Sequence, residues 1–101
     1  MRYFYTIMVF EFHEPISAAN RVKHGLDFFE AQKLWQDVDA VELPARSDGE
    51  ERKMLIAKKA GKVWAAVFTE REGRIRIISA RPARTNEEAI YEQTEDDSAK
   101  S

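Results

Sequence analysis

Arg74 and Arg76 stand at alternate positions in Gly73-Arg74-Ile75-Arg76-Ile77-Ile78-Ser79-Ala80-Arg81-Pro82-Ala83-Arg84, a stretch that joins apolar and cationic character. On an extended strand Ile75 and Ile77 fall on one face and the two arginines on the other. A core strand can thereby hold a fixed pair of guanidinium groups. Guanidinium binds phosphate through paired N–H donors and keeps its charge, which suits a polyanionic substrate. Arg81 and Arg84 follow where Pro82 ends the strand. Arg81 has the opposite parity, so it joins the pair only if the strand twists or bulges before Pro82. The plainer alternative is the solvated outer face of an antiparallel sheet.

For moving protons, His24 is the best single residue, because only imidazole has an ordinary pKa near neutrality. Its place beside Lys23 and Gly25 equally suits a helix terminus, where both cations face the negative end of the helix dipole. Glu50 and Glu51 point to opposite sides of a strand; one is a candidate base at a sheet edge, and both can simply be solubilising. His13 follows a strand end and receives no role. There is no cysteine, hence no disulfide framework or thiolate site. No H-x-x-x-H spacing is present to hold zinc. No cofactor and no metal are expected.

The elements that must position these residues can be read in order. Residues 5–12 are aromatic and β-branched and predict a strand. Pro15 suits the first turn of a helix that Gly25 ends in the left-handed conformation. Asp27 and Glu30 form a capping pair for a second helix whose apolar positions are Phe28, Ala31, Leu34 and Trp35. A short strand is expected over Ala40–Pro44, then a turn at Asp48-Gly49, then strands over Glu51–Lys58, Lys62–Thr69 and Arg74–Ala80 with glycine-bearing turns between them. The strand Lys62–Thr69 is apolar on both faces, so it should lie mid-sheet. Thr85 and Glu88 announce a last helix, fraying near Thr94. The order β-α-α-β-β-β-β-α predicts an α+β domain: an antiparallel meander with its helices on one face. Residues 1–94 form the expected single domain and 95–101 a disordered acidic tail.

The length of 101 residues suits one domain, and a hydrophobic share of 44% is ordinary for a globular chain. No apolar run approaches the ~20 residues of a membrane span, and the aromatic start lacks the pattern of a signal peptide. A cytoplasmic protein is expected. The net charge of −2 conceals segregation: a basic stretch from Arg71 to Arg84 precedes the acids Glu87, Glu88, Glu92, Glu95, Asp96 and Asp97. Such an acidic segment could fold back over the basic face.

Several of these motifs together resemble the BrnT family. They are Phe10-Glu11-Phe12; Asn20-Arg21-Val22-Lys23-His24-Gly25-Leu26-Asp27-Phe28 with Ala31; Asp48-Gly49-Glu50-Glu51-Arg52; Val67-Phe68-Thr69-Glu70-Arg71; and Arg74–Arg81 with Glu87 and Tyr91. The resemblance implies a RelE-like fold and a ribonuclease toxin of a type II toxin–antitoxin pair, which arrests growth by cleaving RNA. It also implies a dimerising, DNA-binding BrnA-type antitoxin partner. The chain departs from the family pattern at Phe12-His13, where an aromatic-acid pair is usual, at Ile16, where a lysine is usual, and in its acidic last helix. RNA cleavage by the 2′-hydroxyl needs a base, a stabiliser of phosphate charge and a donor to the leaving 5′-oxygen. Arg74, Arg76 and Arg81 are the expected stabilisers and His24 the expected proton carrier, with Lys23, Arg84 and Tyr91 as RNA contacts. The alternative is a catalytically weak RelE-like module that binds an antitoxin or another phosphorylated ligand through its arginine strand.

Overall fold

Apolar residues alternating on both sides of the central strands give a sheet that has to be covered twice. The computed structural model describes residues 8–45 and 49–100, with side chains as far as 94. Residues 5–7 of the expected first strand and Asp48 of the expected turn lie outside the described residues. The elements are β1 (Val9–Glu11), α1 (Glu14–His24), α2 (Phe28–Ala31) running into a 3-10 turn (Gln32–Gln36), β2 (Val41–Ala45), β3 (Arg52–Lys59), β4 (Lys62–Arg71), β5 (Arg74–Pro82) and α3 (Thr85–Lys100). The five-stranded sheet has the order β1-β5-β4-β3-β2, so β4 is its centre, as its two apolar faces require.

The α+β class and the antiparallel run β2 to β5 agree with the sequence reading. β1 is the exception, for it pairs in parallel with β5, placing Glu11 beside Arg76. That pairing joins distant parts of the chain, and no local pattern announces it. The turns are tighter than expected. Ala60 and Gly61, and likewise Glu72 and Gly73, have positive φ, the two-residue geometry that matches strand twist.

α1 and α2 cover one face. Phe28, Ala31, Leu34 and Trp35 are buried along its inner side, and after Ala31 the helix tightens into the 3-10 turn. Asp27 accepts from the Glu30 N–H at 2.8 Å, the expected cap. Trp35 sits edge-on to Phe10 and Phe68, with ring centroids 5.3 and 5.1 Å apart. Gly25 stops α1 at φ 83°.

Asn20, on the buried side of α1, donates to the carbonyls of Leu26 (2.6 Å) and Ala80 (2.8 Å) and accepts from the Ala80 N–H (3.3 Å). Its amide stands in for a peptide group along β5 beyond the end of β1, where the strand edge would otherwise be unpaired.

α3 packs on the opposite face, which corrects the expectation of a single helical face. Ile56 and Ala65 oppose each other across β3 and β4 and are fully buried on the side away from Trp35. Such a surface must be covered, and α3 lies against β2, β3 and β4. Tyr91 anchors it by donating to the Asp37 carboxylate at 2.6 Å, while Asp37 also accepts from the Lys58 N–H at 2.8 Å.

Candidate functional site

Ile75 and Ile77 are buried toward the α1–α2 layer, so Arg74 and Arg76 project from the other face of β5. α3 covers the half of that face where Arg81 opposes Ala65. The other half is an open groove of about 430 Å³ lined by Glu11, Arg71, Glu72, Arg74 and Arg76.

Glu11 lies between the two arginines. Its Oε2 is 4.0 Å from Arg74 Nη1 and its Oε1 is 4.0 Å from Arg76 Nη1. These distances exceed a hydrogen bond, so the guanidinium donors and the carboxylate oxygens are left for another partner. The side chains of Arg74, Arg76 and Glu11 are 56%, 40% and 31% exposed, and ion pairs this open add little stability.

On the β3 side the arrangement is tighter. Arg71, opposite Arg74 in the β4–β5 register, donates to Glu50 Oε1 from Nη2 at 2.7 Å and from Nε at 3.0 Å. That contact, more than any other, holds the Glu50 carboxyl below its ordinary value. Among the described residues Arg52 Nε on this side, and Trp35 Nε1 in the core, are buried with no hydrogen-bond partner.

A bulge decides where Arg81 goes. The partners of Val67 and Phe68 skip from Ser79 to Ile77, leaving Ile78 unopposed. The alternation reverses there, Ala80 becomes the buried residue, and Arg81 returns to the face of Arg74 and Arg76. It is nevertheless spent. Arg81 Nη1 and Nη2 donate to the two oxygens of Glu87 at 2.7 and 2.9 Å, and four residues of strand separate it from Arg76 along β4, about 13 Å. Glu87 holds Arg81 above its ordinary pKa, and the same hydrogen bond holds Glu87 below its own. Glu87 Oε1 also accepts from the Arg84 N–H at 2.8 Å. With the Glu88 N–H bonded to the Arg84 carbonyl, Arg84 and Glu87 take the capping positions expected of Thr85 and Glu88, one residue earlier.

The remaining expected residues are dispersed. His24 and Lys23 end α1, in the layer on the other side of the sheet, so the fold does not bring His24 to the arginine pair. Arg84 is exposed at the start of α3. Tyr91 is 2% exposed and engaged with Asp37, so its ring serves packing and offers no open face for a base. Glu51 is exposed ahead of β3. Glu11 and Arg71 line the groove, and sequence reasoning passed over both as candidate site residues. For Glu11 a signal existed: an acid between two aromatics on a strand must face away from the core they fill. Among the described residues no three His, Cys, Asp or Glu side chains gather in a set that could hold a metal ion.

A family model described as the ribonuclease toxin BrnT of type II toxin–antitoxin systems matches residues 12–87, well over half the chain. A comparison with curated proteins found no match.

Proposed function

The chain belongs to the BrnT family of ribonuclease toxins of type II toxin–antitoxin systems, and we propose on that footing that it cleaves RNA on the open half of its sheet without a metal ion. Arg74 and Arg76 are the groups that bind the scissile phosphate and stabilise the charge it gains. The observation that carries the reading is their placement. They project side by side from a strand locked on both edges, their donors unspent, beside a groove of sufficient size for a nucleotide. Preorganised cations aimed at developing charge are worth ~10²–10³ each in rate, which is the service a metal would otherwise supply. Arg52 extends the basic surface toward β3 and suits a flanking phosphate, while Arg71 is held by Glu50. The substrate pool is cytoplasmic RNA. Among the described residues no helix is long and apolar enough to cross a membrane.

The antitoxin of the pair is, in this reading, of the BrnA type: encoded alongside, DNA-binding, and neutralising the toxin in a heteromeric complex. The deciding experiment incubates purified protein with RNA, with and without EDTA. Cleavage undiminished by EDTA and lost in Arg76→Ala supports the proposal; RNA left intact under both conditions refutes it. The Arg81–Glu87 ion pair favours one rival, because it withdraws a cation from the surface. That rival is a module of the same fold that binds antitoxin but cleaves weakly. It predicts antitoxin binding at full strength with RNA intact.

A further inference from the structure

Resting on the reading of this face as a ribonuclease site, we propose that Glu11 is the catalytic base that takes the proton from the attacking 2′-hydroxyl. The fold places the other candidates less favourably. His24 belongs to the layer behind the sheet. Glu50 is gripped twice by Arg71, which makes it a poor proton carrier. Glu72 lines the groove from the β4–β5 turn and has no strand register with Arg76. Glu11 stands on β1 in register with Arg76 and 4.0 Å from each of the two phosphate-binding guanidiniums, whereas the other described acids on strands, Glu42 and Glu70, are both paired with Lys53. A phosphate held by Arg74 and Arg76 brings its neighbouring 2′-hydroxyl within reach of a carboxylate 4.0 Å from each of them. The oxygens of that carboxylate are not consumed by hydrogen bonds, which a general base requires.

The step balances as follows. The Glu11 carboxylate accepts the 2′-hydroxyl proton as the 2′-oxygen bonds to phosphorus, and the bond from phosphorus to the 5′-oxygen breaks. The departing 5′-oxygen takes a proton from water, and the hydroxide formed recovers the proton on Glu11. The products are a 2′,3′-cyclic phosphate and a 5′-hydroxyl. The charged groups facing Glu11 are Arg74 and Arg76, with Arg71 and Glu72 completing the groove.

The test compares wild type with Glu11→Gln in RNA binding and in single-turnover cleavage. Removing the base is expected to slow cleavage by ~10²–10⁴-fold. Removing a negative charge from beside the phosphate leaves RNA affinity equal or higher. Slower cleavage with tighter binding is a crossing that a merely structural or arginine-positioning role does not produce, since that role weakens both. A rate that depends on an unprotonated base falls in acid, and the Gln variant should lose that limb of the wild-type pH profile. Should the Gln variant fail to fold, Glu11→Asp against Glu11→Ala decides: the aspartate keeps the acid limb and the alanine loses it. Cleavage by Glu11→Gln within about threefold of wild type with the limb intact overturns the assignment. So does loss of the limb in Glu72→Gln instead. Wild-type protein that leaves RNA intact overturns the ribonuclease reading itself and this inference with it, an outcome visible in the control before any variant is compared.

Discussion

Glu87 receives both terminal nitrogens of Arg81, at 2.7 and 2.9 Å, and so ties the first turn of α3 to the last residues of β5. The pair is largely sheltered, with the side chains 22% and 8% exposed, so breaking it leaves a charge poorly solvated. Glu87→Gln should destabilise the fold by about 2 kcal/mol near neutral pH, measured by thermal or urea unfolding. A variant as stable as wild type would mean that the pair is ornamental.

The same contact predicts a pH dependence. The Glu87 carboxyl is held below its ordinary value in the fold, chiefly by Arg81. Its contribution is therefore present above the unfolded-chain value, about 4.3, and is lost as pH falls through the lower folded value. The melting curves of wild type and Glu87→Gln should stand apart at neutral pH and converge in acid. A gap that stays constant would show that something other than this carboxylate causes the difference.

Arg76→Ala is expected to reduce RNA cleavage by ~10²–10³-fold and to relieve growth arrest while the protein remains folded, because the side chain is 40% exposed and makes only a long ion pair. Arg74→Ala should act in the same direction. The measurements are RNA degradation by purified protein and colony formation on induction. Full toxicity in the double variant would remove the physical basis of the site.

Asn20→Ala should cost about 3 kcal/mol, for it deletes hydrogen bonds to Leu26 and Ala80 and leaves the β5 backbone unsatisfied behind it. Denaturant unfolding would reveal the loss, and an unchanged midpoint would show that water replaces the amide without cost.

Asp37→Ala takes the acceptor from both Tyr91 and the Lys58 N–H. About 2 kcal/mol of stability should be lost, with the single-turnover cleavage rate of the remaining folded protein unaltered. A reduced rate in folded protein would mean that α3 reaches the groove after all.

Local features were legible wherever a short span of chain decides them. Gly25, the Asp27 cap, the alternation of Trp64, Ala66 and Phe68, and the outward parity of Arg74 and Arg76 needed no knowledge of distant partners. What escaped was set by pairings remote in sequence. Asn20 finds Ala80, and Glu11 meets Arg76 only because β1 adds in parallel to β5. Arg81 was conditional on a bulge, and the bulge is there, but its acid partner was hidden in a helix whose start lay one residue from the expected position. The proton-carrying chemistry of His24 is legible from its residue type alone, whereas its place at the end of α1, behind the sheet, depends on the fold.

Ile78, unopposed in the β4–β5 ladder, makes the count of residues in β5 matter as much as their identity. Were the strand shortened by that single position, everything after it would rotate half a turn. Ala80 would look toward α3, Arg81 would be driven among the aromatic rings of the opposite layer, and the carboxylate of Glu87 would close on empty space. One surplus isoleucine thus serves as the pivot by which a chain that begins its last strand displaying cations can finish it by fastening a helix.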